Sequence, residues 1–151
     1  MELRELCAVW NCLHDGCVEA ISTFEGRVLF DVGCQYMAEV LGSPVERVFR
    51  VTVSEPAVWE PWERRDGERE PPTFADIAAH EASVMSAELI DSRVGVLLMF
   101  SGWHPDSPSG QGGGRLLLDA EGATLQWADG GLLATTDLFA ASTRYWQAFG
   151  S

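Results

Sequence analysis

From Cys17 onward the apolar residues recur at every second position in short runs, and several runs end at an acid followed by a small residue: Glu25-Gly26, Asp91-Ser92, Glu121-Gly122 and Asp129-Gly130. Acid-glycine pairs accept the left-handed conformations of tight hairpin turns, so this chain is committed to antiparallel strands joined by short connections. The pattern predicts a hairpin from Cys17–Phe24 and the alternating Val28, Phe30 and Val32, then a half-buried strand through Phe49, Val51 and Val53. Ser83–Ile90 and Arg93–Phe100 form a second hairpin, and Arg115–Ala120, Ala123–Ala128 and a short Leu132–Ala134 follow. Arg93–Phe100 is apolar at nearly every position, which predicts a strand covered on both faces. No strand-helix-strand alternation occurs, and this excludes the parallel nucleotide-binding sheets.

Helical spacing is confined to a few places. Leu3, Leu6, Cys7, Trp10 and Leu13 share one helical face, with Asp15-Gly16 as the stop. The rival reading of that stop is a strand turning at Asp15-Gly16. Gln35–Leu41 fits one or two helical turns before Gly42-Ser43-Pro44, and Thr73–Ala79 fits a short helix capped by Thr73. At the end of the chain Leu138, Ala141, Tyr145, Trp146 and Phe149 describe an amphipathic helix whose aromatic end is expected to lie on the sheet as a lid. The resulting expectation is an α+β, antiparallel β-rich fold, a sandwich or partly open barrel, with an N-terminal and a C-terminal helix. No internal repeat of fixed period is visible.

A chain of 151 residues with 46% apolar content matches one domain spanning 1–151. Residues 63–72, dense in charge, and 101–114, dense in Gly, Ser and Pro, are expected as exposed loops. Twenty-three acids against ten bases leave a net charge of −13, and every base is an arginine. Free nucleic acid is therefore an unsuitable partner, since phosphates require a basic face. No apolar run is long enough to span a membrane and the first residues do not form a secretion signal, so a cytoplasmic protein is expected. Cys7, Cys12, Cys17 and Cys34 crowd into the first quarter, an arrangement that fits reduced thiols better than a disulfide framework.

Several constellations bear on chemistry. Cys12-x-His14-x-x-Cys17 offers soft ligands, but helical geometry would point Cys12 and His14 apart, and no metal or other cofactor is expected. Cys34, after Gly33 at a strand end, is the candidate nucleophile, with His14, His80 and His104 the available bases; a packed thiol explains it equally well. Gly110-Gln111-Gly112-Gly113-Gly114 resembles a phosphate loop only in composition, because a strand and not a helix follows, and it reads as a flexible hairpin tip. Six tryptophans are present. Trp10, Trp127 and Trp146 fall on apolar faces and are assigned to the core. Trp59, Trp62 and Trp103 fall in edges or loops and, with His104 and Asp106 nearby in sequence, are the candidate binding residues.

Trp10-x-x-Leu13-His14-Asp15-Gly16 and Arg144-Tyr145-Trp146 resemble the corresponding stretches of small, uncharacterised bacterial β-rich proteins found near polymorphic toxin systems. The resemblance implies a cytoplasmic, immunity-like β-rich domain without an assigned activity, and it transfers no catalytic residues. Acidity, loop tryptophans and the lack of a catalytic motif together point to a non-catalytic binding protein for a basic protein partner. The alternatives are an intracellular carbohydrate- or small-ligand-binding β-domain and an enzyme with a His/carboxylate site; homo-oligomerisation is compatible with any of them.

Overall fold

The computed structural model describes residues 1–62, 72–101 and 111–150. Its elements in chain order are α1 (Leu3–Cys12), β1 (Cys17–Phe24), β2 (Arg27–Gly33), α2 (Gln35–Val40), β3 (Phe49–Ser54), β4 (Val58–Pro61), α3 (Asp76–Ala79), β5 (Ser83–Ile90), β6 (Arg93–Ser101), β7 (Gln111–Leu118), β8 (Thr124–Trp127) and α4 (Thr135–Gly150). The fold is α+β, as expected, with a helix near each end. The strands form one open antiparallel sheet in the order β4-β7-β6-β5-β1-β2-β3-β8, not two facing sheets. Among the described residues no helix is long and apolar enough to cross a membrane.

The sheet consists of two equivalent halves, a repeat that the sequence conceals. β1 starts at Cys17 and β5 at Ser83, β2 at Arg27 and β6 at Arg93, β4 at Val58 and β8 at Thr124, each pair 66 residues apart. The same offset relates the irregularity between Val18 and Ala20 to that between Val84 and Ser86. It also relates the left-handed residues Asp15 to Glu81, and Glu25 to Asp91. His14/His80, Val18/Val84, Arg27/Arg93 and Val28/Val94 are identical under it.

The halves meet along a narrow seam, where β1 and β5 share the single register pair Cys17–Ser83. Two reciprocal hydrogen bonds flank it, Val18 N–H to the Ala82 carbonyl at 2.9 Å and Val84 N–H to the Gly16 carbonyl at 2.8 Å. Their fourth strands are exchanged. β4 follows β3 in the chain but pairs with β7, and β8 follows β7 but pairs with β3.

One face of the sheet carries the core. Val28, Phe30 and Val32 on β2, Phe49, Val51 and Val53 on β3, and Val94, Val96, Leu98 and Phe100 on β6 are all buried. The period-2 alternation makes this face, since successive side chains in a strand point to opposite sides. α1 covers it with Leu6, Val9, Trp10 and Leu13, with Trp10 edge-on to Phe30 at 5.7 Å between ring centroids. Met37 and Ala38 of α2, Ile77 of α3 and Leu138 and Ala141 of α4 complete the layer. On the opposite face Leu97 and Met99 of β6 are only half-buried, so this strand is not covered on both sides as its composition predicted.

Four further local expectations are corrected. The left-handed residue after α1 is Asp15 (φ 66°), and Gly16 serves a different need: a Cβ there would lie 2.8 Å from the Leu13 carbonyl oxygen and 2.9 Å from that of Gly33. The glycines at 112–114 are strand, not hairpin tip, within β7. The short Leu132–Ala134 strand shrinks to an isolated bridge between Leu132 and Gln126. α3 is shorter than Thr73–Ala79, and Ala75, which makes no side-chain cap bond, stands at its N-cap in place of Thr73. The Thr73 N–H and hydroxyl both donate to Asp76 Oδ2, at 2.6 and 2.8 Å, and these bonds lower the Asp76 carboxyl below its ordinary range.

Candidate functional site

The tryptophans nominated from sequence divide. Trp59 in β4 spends its ring on packing: its N–H donates to the Pro72 carbonyl at 2.9 Å and its face receives Phe100 edge-on at 6.1 Å. It is half-buried and offers no open stacking platform. Trp62, just beyond β4, is 41% exposed and lies across the strand at Gly113. Gly113 and Gly114 therefore have a packing role, because a Cβ on either would meet the Trp62 or Trp59 ring as well as backbone. Trp103, His104 and Asp106 lie outside the described residues.

Trp10 and Trp127 are buried, as their apolar positions predicted; Arg47, pinned by Asp129, covers Trp127 at 4.3 Å from the ring centroid. Trp146 departs from expectation. It is 48% exposed, Phe149 is 69% exposed, and the aromatic end of α4 is a surface ridge instead of a lid. The reason is length: α4 contacts α1 and α2 and buries Leu138 and Ala141, but its last turns run beyond the layer they cover.

Three of the four cysteines, Cys7, Cys12 and Cys34, are poor nucleophiles. Cys34 is 1% exposed, and burial pushes its thiol up to about 11; its Sγ faces the His14 carbonyl at 3.9 Å. Burial also raises the thiols of Cys7 and Cys12. Cys12 sits in the core while Cys17 lines a surface concavity, and the described residues contain no cluster of three or more His, Cys, Asp or Glu side chains suited to a metal. His14 donates through Nδ1–H to the Met85 carbonyl oxygen (2.6 Å) and approaches Asp15 through Nε2 (3.3 Å). His80, its counterpart in the second half, stands 3.9 Å from Asp76 and edge-on to Phe100.

That concavity was not legible in the sequence. It lies where the two halves meet, has a volume of about 570 Å³, and is walled by Asp15, Glu19, Glu46 and Glu81 with Cys17 and Tyr36 between them. Among the described residues no arginine lines it. Asp15 and Glu81 come from the equivalent left-handed turns that lead into β1 and β5. Such a conformation costs a residue with a Cβ about 1 kcal/mol, more readily tolerated by Asp than by Glu. Glu19 occupies space that only a glycine at 33 leaves free: a Cβ there would fall 2.5 Å from Glu19 Oε1. The equivalent pair in the second half is Met85 and Met99, so the acid at this position has no counterpart there.

Tyr36, from α2, holds the wall in place. Its hydroxyl donates to the His14 carbonyl at 2.7 Å and to that of Cys12 at 3.4 Å, taking up acceptors left open at the end of α1. Burial, reinforced by Cys34 and Asp15, raises its ionisation far above the ordinary tyrosine range, so it is a fixed donor and not a proton shuttle. Several of the described arginines elsewhere are engaged with other acids. Arg50 forks onto Asp31 at 2.7 and 2.9 Å, a bond that raises its own already high ionisation further. Arg93 reaches Asp119, and Arg115 reaches Glu60 and Glu88.

No family model matches the chain, and no curated protein and no solved structure matches it either. What the arrangement can do is therefore read from its chemistry. The concavity gathers four carboxylates with no arginine among its described lining residues, an arrangement that produces a local negative potential.

Proposed function

We infer that the chain is a non-catalytic binding protein that receives a basic protein partner, acting as an immunity-like inhibitor. The observation that carries the reading is the acidic concavity at the seam, whose four carboxylates are joined by no arginine among the described residues. Three others support it. The net charge of −13 would steer a cationic partner toward the surface. Two of the four acids occupy left-handed backbone positions, a kind of cost often retained at functional sites. The raised thiols of Cys7, Cys12 and Cys34 and the raised hydroxyl of Tyr36 are poorly suited to act as nucleophile or base. The packed ring of Trp59 weakens the carbohydrate-binding alternative.

The partner would place an arginine or lysine side chain between Asp15, Glu19, Glu46 and Glu81. Association would then be fast and salt-sensitive, since charge governs the encounter while close contacts govern residence. The test is recovery of the partner on the immobilised protein from its native host, followed by kinetics against a variant carrying Asp15→Asn, Glu19→Gln, Glu46→Gln and Glu81→Gln. The expected result is a basic partner whose association rate falls at least ~10-fold in the variant and falls again as salt rises from roughly 0.05 to 0.5 M. Recovery of acidic partners only, or a rate indifferent to both changes, would sink the reading.

A further inference from the structure

The second half of α4 is amphipathic without a surface to cover. Tyr145, Trp146 and Phe149 form one aromatic cluster, with ring centroids 5.1 Å (Tyr145–Trp146), 4.9 Å (Tyr145–Phe149) and 6.3 Å (Trp146–Phe149) apart, yet Trp146 and Phe149 stay largely exposed. This cluster is continuous with the acidic concavity. Tyr145 stacks on Tyr36 at 4.5 Å, and Tyr36 is a wall of that concavity. His14 makes the second link, 6.5 Å from the Trp146 ring and 3.3 Å from the Asp15 carboxylate.

We propose that the aromatic end of α4 and the acidic concavity form one composite interface for a basic protein segment that presents an apolar side chain beside a cationic one. The cation enters among Asp15, Glu19, Glu46 and Glu81; the apolar side chain lies on Trp146 and Phe149. Charge selects this occupant over the others. A second copy would bring its own −13 and its own acids against the first. An anionic lipid surface would meet the same carboxylates. A basic segment relieves both exposures at once, and aromatic anchors beside a charged rim are the usual composition of interface hot spots. The inference rests on the reading of the chain as a binder of basic partners and adds which surface does the selecting.

Two synthetic peptides of equal positive charge test it, one alternating arginine with leucine and the other arginine with serine. Their affinities for the full chain are measured by fluorescence anisotropy at low salt. The arginine-leucine peptide should bind at least ~10-fold more tightly, the discrimination expected of one good apolar anchor. Trp146→Ala with Phe149→Ala should erase that advantage while leaving the arginine-serine affinity unchanged, and the four-amide variant of the concavity should weaken both peptides. Leu138 and Ala141, which hold α4 to the core, are untouched by these changes; Phe149→Ser alone, at the most exposed ring of the ridge, is the fallback if the double variant misfolds.

Equal affinities for the two peptides, or an advantage that survives Trp146→Ala with Phe149→Ala, would overturn the composite interface. In either case carboxylate-dependent binding of the arginine-serine peptide would keep the functional reading intact, whereas no binding of either peptide would end both. A homodimer that Trp146→Ala dissolves would also overturn the proposal, by making a second copy the occupant.

Discussion

Gly114→Ala tests how β4 is held to the sheet. A Cβ at this position would lie 2.4 Å from the Glu60 carbonyl oxygen, 2.8 Å from the Pro61 Cα and 2.8 Å from the far edge of the Trp59 ring. Two of those atoms are backbone, so no side-chain rotation relieves the contact and β4 must move away from β7. The lower bound on the cost is that of overpacking a tight site, about 1–3 kcal/mol. The upper bound is loss of the docked Trp59, about 3–5 kcal/mol for a fully buried ring and less here because Trp59 is half-buried.

An intermediate value of about 2–4 kcal/mol follows, which in a chain of this length lowers the melting temperature by roughly 5–15 °C. Urea unfolding followed by tryptophan fluorescence measures it, and Gly150→Ala, where a Cβ meets nothing within 4 Å, is the control. The native Gly114→Ala spectrum should also be red-shifted as the Trp59 indole leaves Phe100. A Gly114→Ala protein within about 0.5 kcal/mol of the parent, the usual scatter of surface substitutions, would refute the claim that this glycine exists for close approach.

Trp146→Ala should cost less than ~1 kcal/mol in urea unfolding, whereas Trp127→Ala should cost about 3–5 kcal/mol, because only the second ring is buried. Alkylation at pH 8 should label Cys17, on the concavity, well before Cys34, in the core; equal rates in the folded protein would contradict the burial of Cys34. Because Cys34 is raised from 9.0 to about 11, its contribution to stability is fully present below pH 9 and is lost as the pH climbs through 11, which a stability profile in that window should register and Cys34→Ala should flatten. Asp76 has the opposite sign. Its carboxyl is lowered, so its contribution holds at neutral pH and disappears as the acid limb is entered; Asp76→Asn should remove about 1 kcal/mol at pH 7 and almost nothing once the parent carboxyl is protonated.

The strands were legible where side-chain alternation and turn chemistry agreed. Cys17–Phe24 and Ser83–Ile90 coincide with β1 and β5, and Glu25-Gly26 does turn the first hairpin through positive φ at both residues. β7 was clipped because its first half is glycine, which has no alternation to read; its strand identity comes from pairing with β6 and from the Trp rings it accommodates. The repeat escaped notice because what the halves share is backbone: a bulge, a left-handed turn and a register, with few identical residues to mark them.

The acidic concavity was invisible for a related reason. Its walls come from positions 15, 19, 46 and 81, distant in the chain and gathered only when the seam forms. The exposed end of α4 carries the same lesson in reverse. Its apolar spacing is identical to that of a buried helix, and only the extent of the layer beneath it decides which rings remain outside.

The exchange of β4 and β8 makes the molecule an interlock. Each half lends the other its outermost strand, so neither four-stranded unit is complete until its counterpart has also docked, and cutting the connection between the halves would not by itself let them separate. A force pulling the two halves apart at the single Cys17–Ser83 register pair would have to strip both edge strands as well. The narrow place where the concavity lies is thereby held from both sides by elements at the far margins of the sheet. Its two facing turns keep their spacing without extensive bonding of their own.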